Sequence, residues 1–394
     1  MKPSISTPID LLTTSTPVPL LDLRRQYNSI RQDVLSAIAR VCDSQGFVLG
    51  PEVEALEREI STLMGAVAAV GCASGTEALW LALVAAGVEP GDSVITTAFS
   101  FFASASAIVR AGATPVLMDV DPSTLNLDPE AVRKRIVSNR PAKLRAILPV
   151  HLYGQCADMD AFSAIGQEFN LAIVEDAAQA IGASWRGRGA GSLGVAAAFS
   201  FYPTKNLSAY GDAGIVTTTD LGMAEHMRRL RNHGSPRRYY HDEFGWNGRM
   251  DAIQAAVLRV KLGHLADWNR KRQEHAATYD RLLANAGLTS NSTNSPVQVL
   301  ARRPEATHVF HQYVIRASRR DDLRAFLADR KIGSEIYYPL PLHLQPVFSY
   351  LGLSEGSLPV AEQAAQQVLA LPMFAELTAA ELESVVAAIA NFYS

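Results

Sequence analysis

Between Val67 and Thr219 the chain repeats one pattern: a short β-type run, then a helical or polar stretch. The runs are VAAVGCA, VITTA, TPVLMDV, AILPV, AIVEDA, AAAFSFY and AGIVTTT. Several are apolar throughout. A strand wet on one face alternates apolar and polar residues, whereas a strand covered by helices on both faces does not. The pattern therefore predicts an α/β fold with a mostly parallel sheet flanked by helices. Ligands of such sheets bind beyond the strand ends. The residues that follow each run are thus the first to examine for chemistry.

The rest of the chain predicts a second lobe. Asp251 to Leu283 reads as helical, with apolar Ile253, Val257, Val260 and Leu262 and few breakers, long enough to bridge two lobes. Beyond it, strand-like HVFHQYVIR alternates with helical DDLRAFLADR and AAELESVVAAIANFY, a small α+β lobe. At 394 residues, two lobes are favoured over one. The expected organisation is a mobile Ser/Thr/Pro-rich tail over 1–16, a large domain over 17–265 and a small C-terminal domain over 266–394.

Charge and cysteine content narrow the partners. The formal net charge is −3, without long runs of one sign, so neither nucleic acid nor an anionic membrane is the expected partner. Small anionic ligands at local sites remain open. Cys42, Cys72 and Cys156 are odd in number and widely spaced, which predicts neither a disulfide framework nor a metal site, and fits a reducing cytoplasm. The N-terminus lacks the apolar core of a signal peptide. The most apolar stretch, Ala78 to Val88, has about half the ~20 residues a bilayer needs.

Three strand ends carry candidate chemistry. Cys72-Ala73-Ser74-Gly75-Thr76-Glu77 joins a strand to a helix, and Ser74 and Glu77 have capping-box spacing. The same turn suits a phosphate, with Gly75 allowing close approach and Thr76 adding a hydroxyl. AIVEDAAQ ends on Asp176, which is either a helix N-cap or a buried partner for a cationic cofactor ring, with Gln179 following on the same helical face. SFYPTKNLSAYGDAG delivers Lys205 from the end of an apolar run, either as a snorkelling side chain or as a nucleophile. A lysine, a carboxylate and a phosphate cradle on three strand ends are the parts that hold pyridoxal phosphate.

Two other patterns are set aside. Gly189-Ala190-Gly191-Ser192-Leu193-Gly194 fits G-x-G-x-x-G but precedes a strand-like run, where a dinucleotide fingerprint opens a helix. His308 and His311 lack the glutamate of zincin spacing and read as structural.

In order along the chain, LLDLRRQY, GPEVEALE, ASGTEALWLAL, PVHLYGQCADMD, VEDAAQAIGA, FSFYPTKNL, YGDAG, LRNHG, NGRMDAIQAAV and IYYPLPLHLQP resemble the DegT/DnrJ/StrS sugar aminotransferases. These are pyridoxal-phosphate enzymes of the aspartate aminotransferase fold, fold type I. The resemblance implies that Lys205 binds the cofactor as a Schiff base, Asp176 meets the pyridine nitrogen and Gln179 the ring hydroxyl. It places Gly75, Thr76 and Ser200 at the phosphate and Phe101 against the ring. It further implies a homodimer in which Asn247 reaches the neighbouring subunit's phosphate, and sugar-nucleotide contacts from Tyr202, Tyr337 and Tyr338. Ser208 and Ala213 stand where many relatives have glycine.

The implied reaction moves an amino group from glutamate to a keto nucleotide sugar. IYYPLPLHLQP is most similar to relatives that aminate carbon 3. The rivals are a sugar dehydratase, which typically has histidine in place of the lysine, and a non-catalytic sugar-nucleotide-binding or regulatory protein. Lys205 opposes the first, and the intact set of Lys205, Asp176 and Gln179 gives no support to the second.

Overall fold

The computed structural model describes residues 17–289 and 295–394, so the expected tail over 1–16 lies outside the described residues. All seven β-type runs form strands of one sheet: β1 (Ala68–Cys72), β2 (Ser93–Thr97), β3 (Thr114–Met118), β4 (Leu144–Leu148), β5 (Ala172–Asp176), β8 (Ala196–Ser200) and β9 (Gly214–Thr218). Between β5 and β8 lies a short hairpin, β6 (Ser184–Trp185) and β7 (Arg188–Gly189). The sheet order is β1-β9-β8-β5-β4-β2-β3. Only β9 runs against its neighbours, so β1, β2, β5 and β8 all end on one edge.

Apolar runs without alternation are what a sheet covered on both faces requires. Ile95, Ile147, Ile173, Phe199 and Ile215 point to one face, packed by α2 (Pro51–Met64), α6 (Met159–Phe169) and α8 (Ala252–Leu262). Their neighbours Val94, Leu148, Val174, Ala198 and Val216 point to the other, packed by α3 (Gly75–Ala85), α4 (Ala103–Arg110) and α7 (Leu221–Leu230). The remaining helices of this half are α1 (Leu23–Ser44), along α8, and α5 (Pro129–Asn139).

The single long helix expected over Asp251 to Leu283 is two. α8 stops at Leu262, Gly263 and His264 form the joint, and α9 (Leu265–Asn285) continues in the second lobe. The break separates two burial tasks. Ala255 and Leu258 of α8 pack on the large sheet, whereas Ala276, Tyr279 and Leu283 of α9 join another core. That core surrounds the small sheet β10 (Val297–Val299), β12 (Tyr313–Ala317) and β13 (Val368–Leu371), with α10 (Arg320–Asp329), α11 (Pro359–Gln367) and α12 (Ala379–Tyr393). HVFHQYVIR is strand only from Tyr313. Ala306 and Thr307 form β11, which pairs with β6, and His308 and His311 sit in the irregular stretch between. Val18 bridges Ile332 and is buried in this second core with Phe99, Val150 and Leu152, which follow β2 and β4. The two lobes therefore share one apolar seam, and the strand-end edge faces it.

Candidate active site

At the end of β1 the chain turns into α3. The Ser74 hydroxyl accepts from the Glu77 N–H at 3.1 Å, which caps the helix. The Glu77 carboxylate does not close the box and pairs with Arg110 instead. Gly75 and Thr76 open the helix, so their N–H groups have no intrahelical acceptor and lie at its positive end. A Cβ on Gly75 would sit 2.5 Å from the Ser200 Cβ and 2.9 Å from its Oγ. Glycine alone lets the first turn of α3 approach the end of β8. Both ends open into a cavity of about 840 Å³.

Asp176 closes β5 and is buried. Its Oδ2 accepts from the Ser104 hydroxyl at 2.6 Å and its Oδ1 from the Ala178 N–H at 3.2 Å. Burial raises its carboxyl above the ordinary range, opposed by those two hydrogen bonds and then by the charge of Lys205. No helix follows, since residues 177–183 are turn and irregular backbone. Asp176 is therefore not a helix N-cap, and Gln179 reaches the cavity by a turn and not along a helical face. The Gln179 Oε1 accepts from the Tyr153 N–H at 2.6 Å, and its Nε2 donates to the Tyr338 hydroxyl at 3.0 Å with one hydrogen to spare.

Behind Asp176 lies a buried pair that sequence reasoning missed. The His151 Nδ1 accepts from the Ala157 N–H at 3.2 Å, so Nε2 carries the proton and donates to Glu175 at 2.9 Å. The Glu175 carboxylate also accepts the N–H groups of Gly191, Leu193 and Gly194 at 2.9, 2.8 and 2.8 Å. The G-x-G-x-x-G segment thus wraps a carboxylate of its own chain. A Cβ on Gly194 would lie 2.3 Å from the Ile173 carbonyl oxygen, so this wrapping also needs its glycine. Glu175→Gln replaces an acceptor by an NH2 facing buried donors and is expected to destabilise the protein by about 2–3 kcal/mol. Urea unfolding measures it, and a change below about 0.5 kcal/mol would refute the assignment.

Lys205 comes from the loop after β8, where its N–H donates to the Tyr202 carbonyl at 2.9 Å. Its side chain lines the cavity. Burial lowers the amine to about 8, against the opposing pull of Asp176. This is the environment of a nucleophile and not of a snorkelling lysine. The next residue anchors the loop. The Asn206 Nδ2 donates to Asn269 Oδ1 and the Val309 carbonyl at 2.9 and 3.0 Å, and its Oδ1 accepts from His311 Nδ1 at 3.1 Å. Burial, Lys205 and Arg272 hold the His311 imidazole well below its ordinary pKa, hence neutral. His308 instead stacks on Phe310 with ring centres 3.9 Å apart.

The cavity brings together Gly75, Thr76, Phe101, Asp176, Gln179, Ser200, Tyr202, Lys205, Tyr337 and Tyr338. Phe101 is 58% exposed, its ring free to cover a flat ligand. The Tyr153 hydroxyl donates to the Tyr337 carbonyl, which ties the small lobe to the cavity wall. Asn247 alone among the expected site residues is outside, exposed on the segment before α8.

The profile of the DegT/DnrJ/EryC1/StrS aminotransferase family matches residues 28–390. The chain belongs to this family. It is 50% identical to a pleiotropic regulatory protein of Geobacillus stearothermophilus, over 95% of this chain and 98% of that protein. It is 42% identical to the UDP-N-acetyl-3-dehydro-alpha-D-glucosamine 3-aminotransferase of Acidithiobacillus ferrooxidans, over 93% and 95% of the two chains. Among solved structures it is similar to DesV of S. venezuelae in complex with a ketimine intermediate, with a TM-score of 0.91 and 43% identity over 96% of this chain and 99% of that one.

The protein is accordingly an aminotransferase of fold type I that uses pyridoxal 5'-phosphate. The residues present fit that group. A cradle that only glycine allows suits the phosphate, a buried carboxylate suits the ring nitrogen, and a lysine whose amine is lowered to about 8 shares the cavity with it. Sequence reasoning missed Ser104, His151, Glu175, Asn206 and the cavity position of His311. Only Ser104 had a local signal, three residues after Phe101 on the way into α4.

Proposed function

We propose that the protein transfers an amino group from glutamate to a keto carbon, carbon 3, of a nucleotide-linked sugar in cytoplasmic amino-sugar biosynthesis. It works as a homodimer with shared sites, residues 17–265 forming the cofactor-binding domain and 266–394 the small domain. The observation that carries this reading is Lys205, its amine lowered to about 8, sharing a cavity with buried Asp176. The 3-amino-sugar transaminases among its relatives support the choice of carbon. Free thiols at Cys42, Cys72 and Cys156 fit a reducing compartment. Among the described residues no helix is long and apolar enough to cross a membrane.

When bound, pyridoxal phosphate supplies an electron-withdrawing ring that acidifies the C–H beside the substrate amine. The chain does the rest. The α3 N-terminus with Gly75, Thr76 and Ser200 would hold the phosphate, and Phe101 would cover the ring. Asp176 would hold a proton at the pyridine nitrogen, and Gln179, with one hydrogen to spare, would donate it to the ring hydroxyl. Lys205 Nζ would hold the cofactor as its amine ligand and, once free, would carry the proton to and from the substrate carbon. Tyr202, Tyr337 and Tyr338 contact the sugar nucleotide.

A panel of 3-keto and 4-keto nucleotide sugars with glutamate tests the reaction. A 3-keto substrate is expected to yield an amino sugar and 2-oxoglutarate. Turnover of 4-keto sugars alone would move the chemistry to carbon 4. A regulatory reading draws on the Geobacillus relative's name. It gains if the whole panel is bound but none is turned over.

The shared site has its own test. Asn247 is exposed and outside its own cavity. Mixing inactive Lys205→Ala subunits with inactive Asn247→Ala subunits is expected to restore activity, because one site of each hybrid then carries neither lesion. No recovery under conditions that exchange subunits would place Asn247 in its own subunit.

A further inference from the structure

We propose that Arg110 is a positioning residue for the neighbouring subunit's cofactor phosphate, acting through Asn247. The inference rests on the shared-site reading above. Arg110 ends α4 and gives both fork nitrogens to Glu77, Nη1 to Oε2 at 2.5 Å and Nη2 to Oε1 at 3.0 Å. Its guanidinium carbon lies 4.6 Å from the centre of the Trp80 ring and 5.5 Å from that of Trp246. The two tryptophans meet edge to face at 6.1 Å and 84°. Glu77 and Trp80 stand three residues apart on one face of α3. Trp246 belongs to the segment that presents Asn247. Arg110 thus fastens that segment to α3.

The backbone around Asn247 is held from the same side. The Trp246 N–H donates to the Leu230 carbonyl at 2.8 Å, the Gly248 N–H to the Arg231 carbonyl at 2.9 Å, and the Ala73 N–H to the Gly248 carbonyl at 3.0 Å. Gly248 lies so close that a Cβ there would be 2.7 Å from the Glu77 Oε1. Asn247 is left as an exposed amide between two anchored neighbours. Trp246 is 53% exposed and Arg110 partly so, whereas Trp80 is buried. An ion pair at a partly wet surface adds little stability. Bidentate, stacked geometry adds direction instead. The helix whose first turn cradles its own subunit's phosphate therefore also aims the residue offered to the partner.

The test measures pyridoxal phosphate affinity from the visible absorbance of cofactor bonded to Lys205. Arg110→Met keeps the stem but loses fork and charge, and as a homodimer it is expected to bind the cofactor about tenfold more weakly. Hybrids are then formed with Lys205→Ala subunits. Only the site built on the Arg110→Met subunit now gives the signal, and it faces an intact Asn247 segment from the other subunit. Return to within about twofold of wild-type affinity supports the proposal. Affinity that stays weak in the hybrid places the effect in Arg110's own subunit and overturns it, as does an Arg110→Met homodimer that binds normally. Asn247→Ala in the same format tests the underlying reading alone. If its defect is not rescued, the shared site fails. If it is rescued and that of Arg110→Met is not, only the Arg110 proposal fails. Should Arg110→Met not fold, Arg110→Lys, which keeps the charge but loses the fork, is expected to follow the same rescue pattern.

Discussion

Replacing Lys205 by alanine is expected to lower transamination by at least about 10³-fold while the protein stays folded and holds the cofactor without a covalent bond. The loss is large because one amine performs two tasks, bonding the cofactor and carrying the proton. The fold survives because the loop is pinned by Asn206 to Asn269 and the Val309 carbonyl and not by Lys205. Its folded-state pKa of about 8 lies below the ordinary 10.5. The unfolded chain therefore binds more protons between those values, and the cost of this group to the folded state shrinks as pH rises through that window. Below pH 8 the buried amine is a constant cost, so the cofactor-free alanine variant is expected to be at least as stable as wild type. The nucleophile is the neutral amine, so bonding of added pyridoxal phosphate to the wild type is expected to quicken as pH rises through about 8. Spectra after gel filtration and turnover assays report both properties. Turnover near the wild-type rate would remove Lys205 from the chemistry.

Asp176→Asn is expected to slow the half-reaction with glutamate by about 10²-fold or more. The substitution keeps size and removes the anion that holds the ring proton. Stability is expected to move the other way. Burial raises the Asp176 pKa in the folded state. The folded protein then holds the proton above the unfolded pKa, so this group's contribution is present at low pH and lost as pH rises through the folded value. At neutral pH, above the unfolded value, the cofactor-free protein bears the cost of this shift, which asparagine removes. Thermal unfolding of the cofactor-free variant at pH 7 should thus give an equal or higher Tm. A lower Tm with an unchanged single-turnover rate would make Asp176 a structural residue.

The strands and the site residues at their ends were legible because each is a local fact. Ala172 to Val174 is apolar because the strand is covered on both faces, and the buried acids that follow stand where the strand ends at the cavity and hydrogen-bond donors reach them. Lys205 and Gly75 likewise follow strand ends. The helix break at Gly263 was not legible, since the apolar period runs through it and only the direction to the second core ends α8. Nor was the turn after Asp176, where AAQAIGA carries no strong breaker before Gly182.

By itself, then, the sequence determined that a covered sheet forms, which residues stand at its strand ends, and through ordered motifs the family. Tertiary structure decided which strand ends meet. β9 runs backwards between β1 and β8, a direction no apolar run records, and at its start Gly214, where a Cβ would lie 2.3 Å from the Ser74 carbonyl oxygen, lets the turn into α3 pass over it and bring Gly75 against Ser200. It also chose the partners of the buried charges: Ser104 for Asp176, and His151 with three backbone N–H groups for Glu175. A carboxylate or guanidinium removed from water must be hydrogen-bonded. Sequence fixes that need, but the donor or acceptor that meets it lies on whichever distant segment the packing brings alongside.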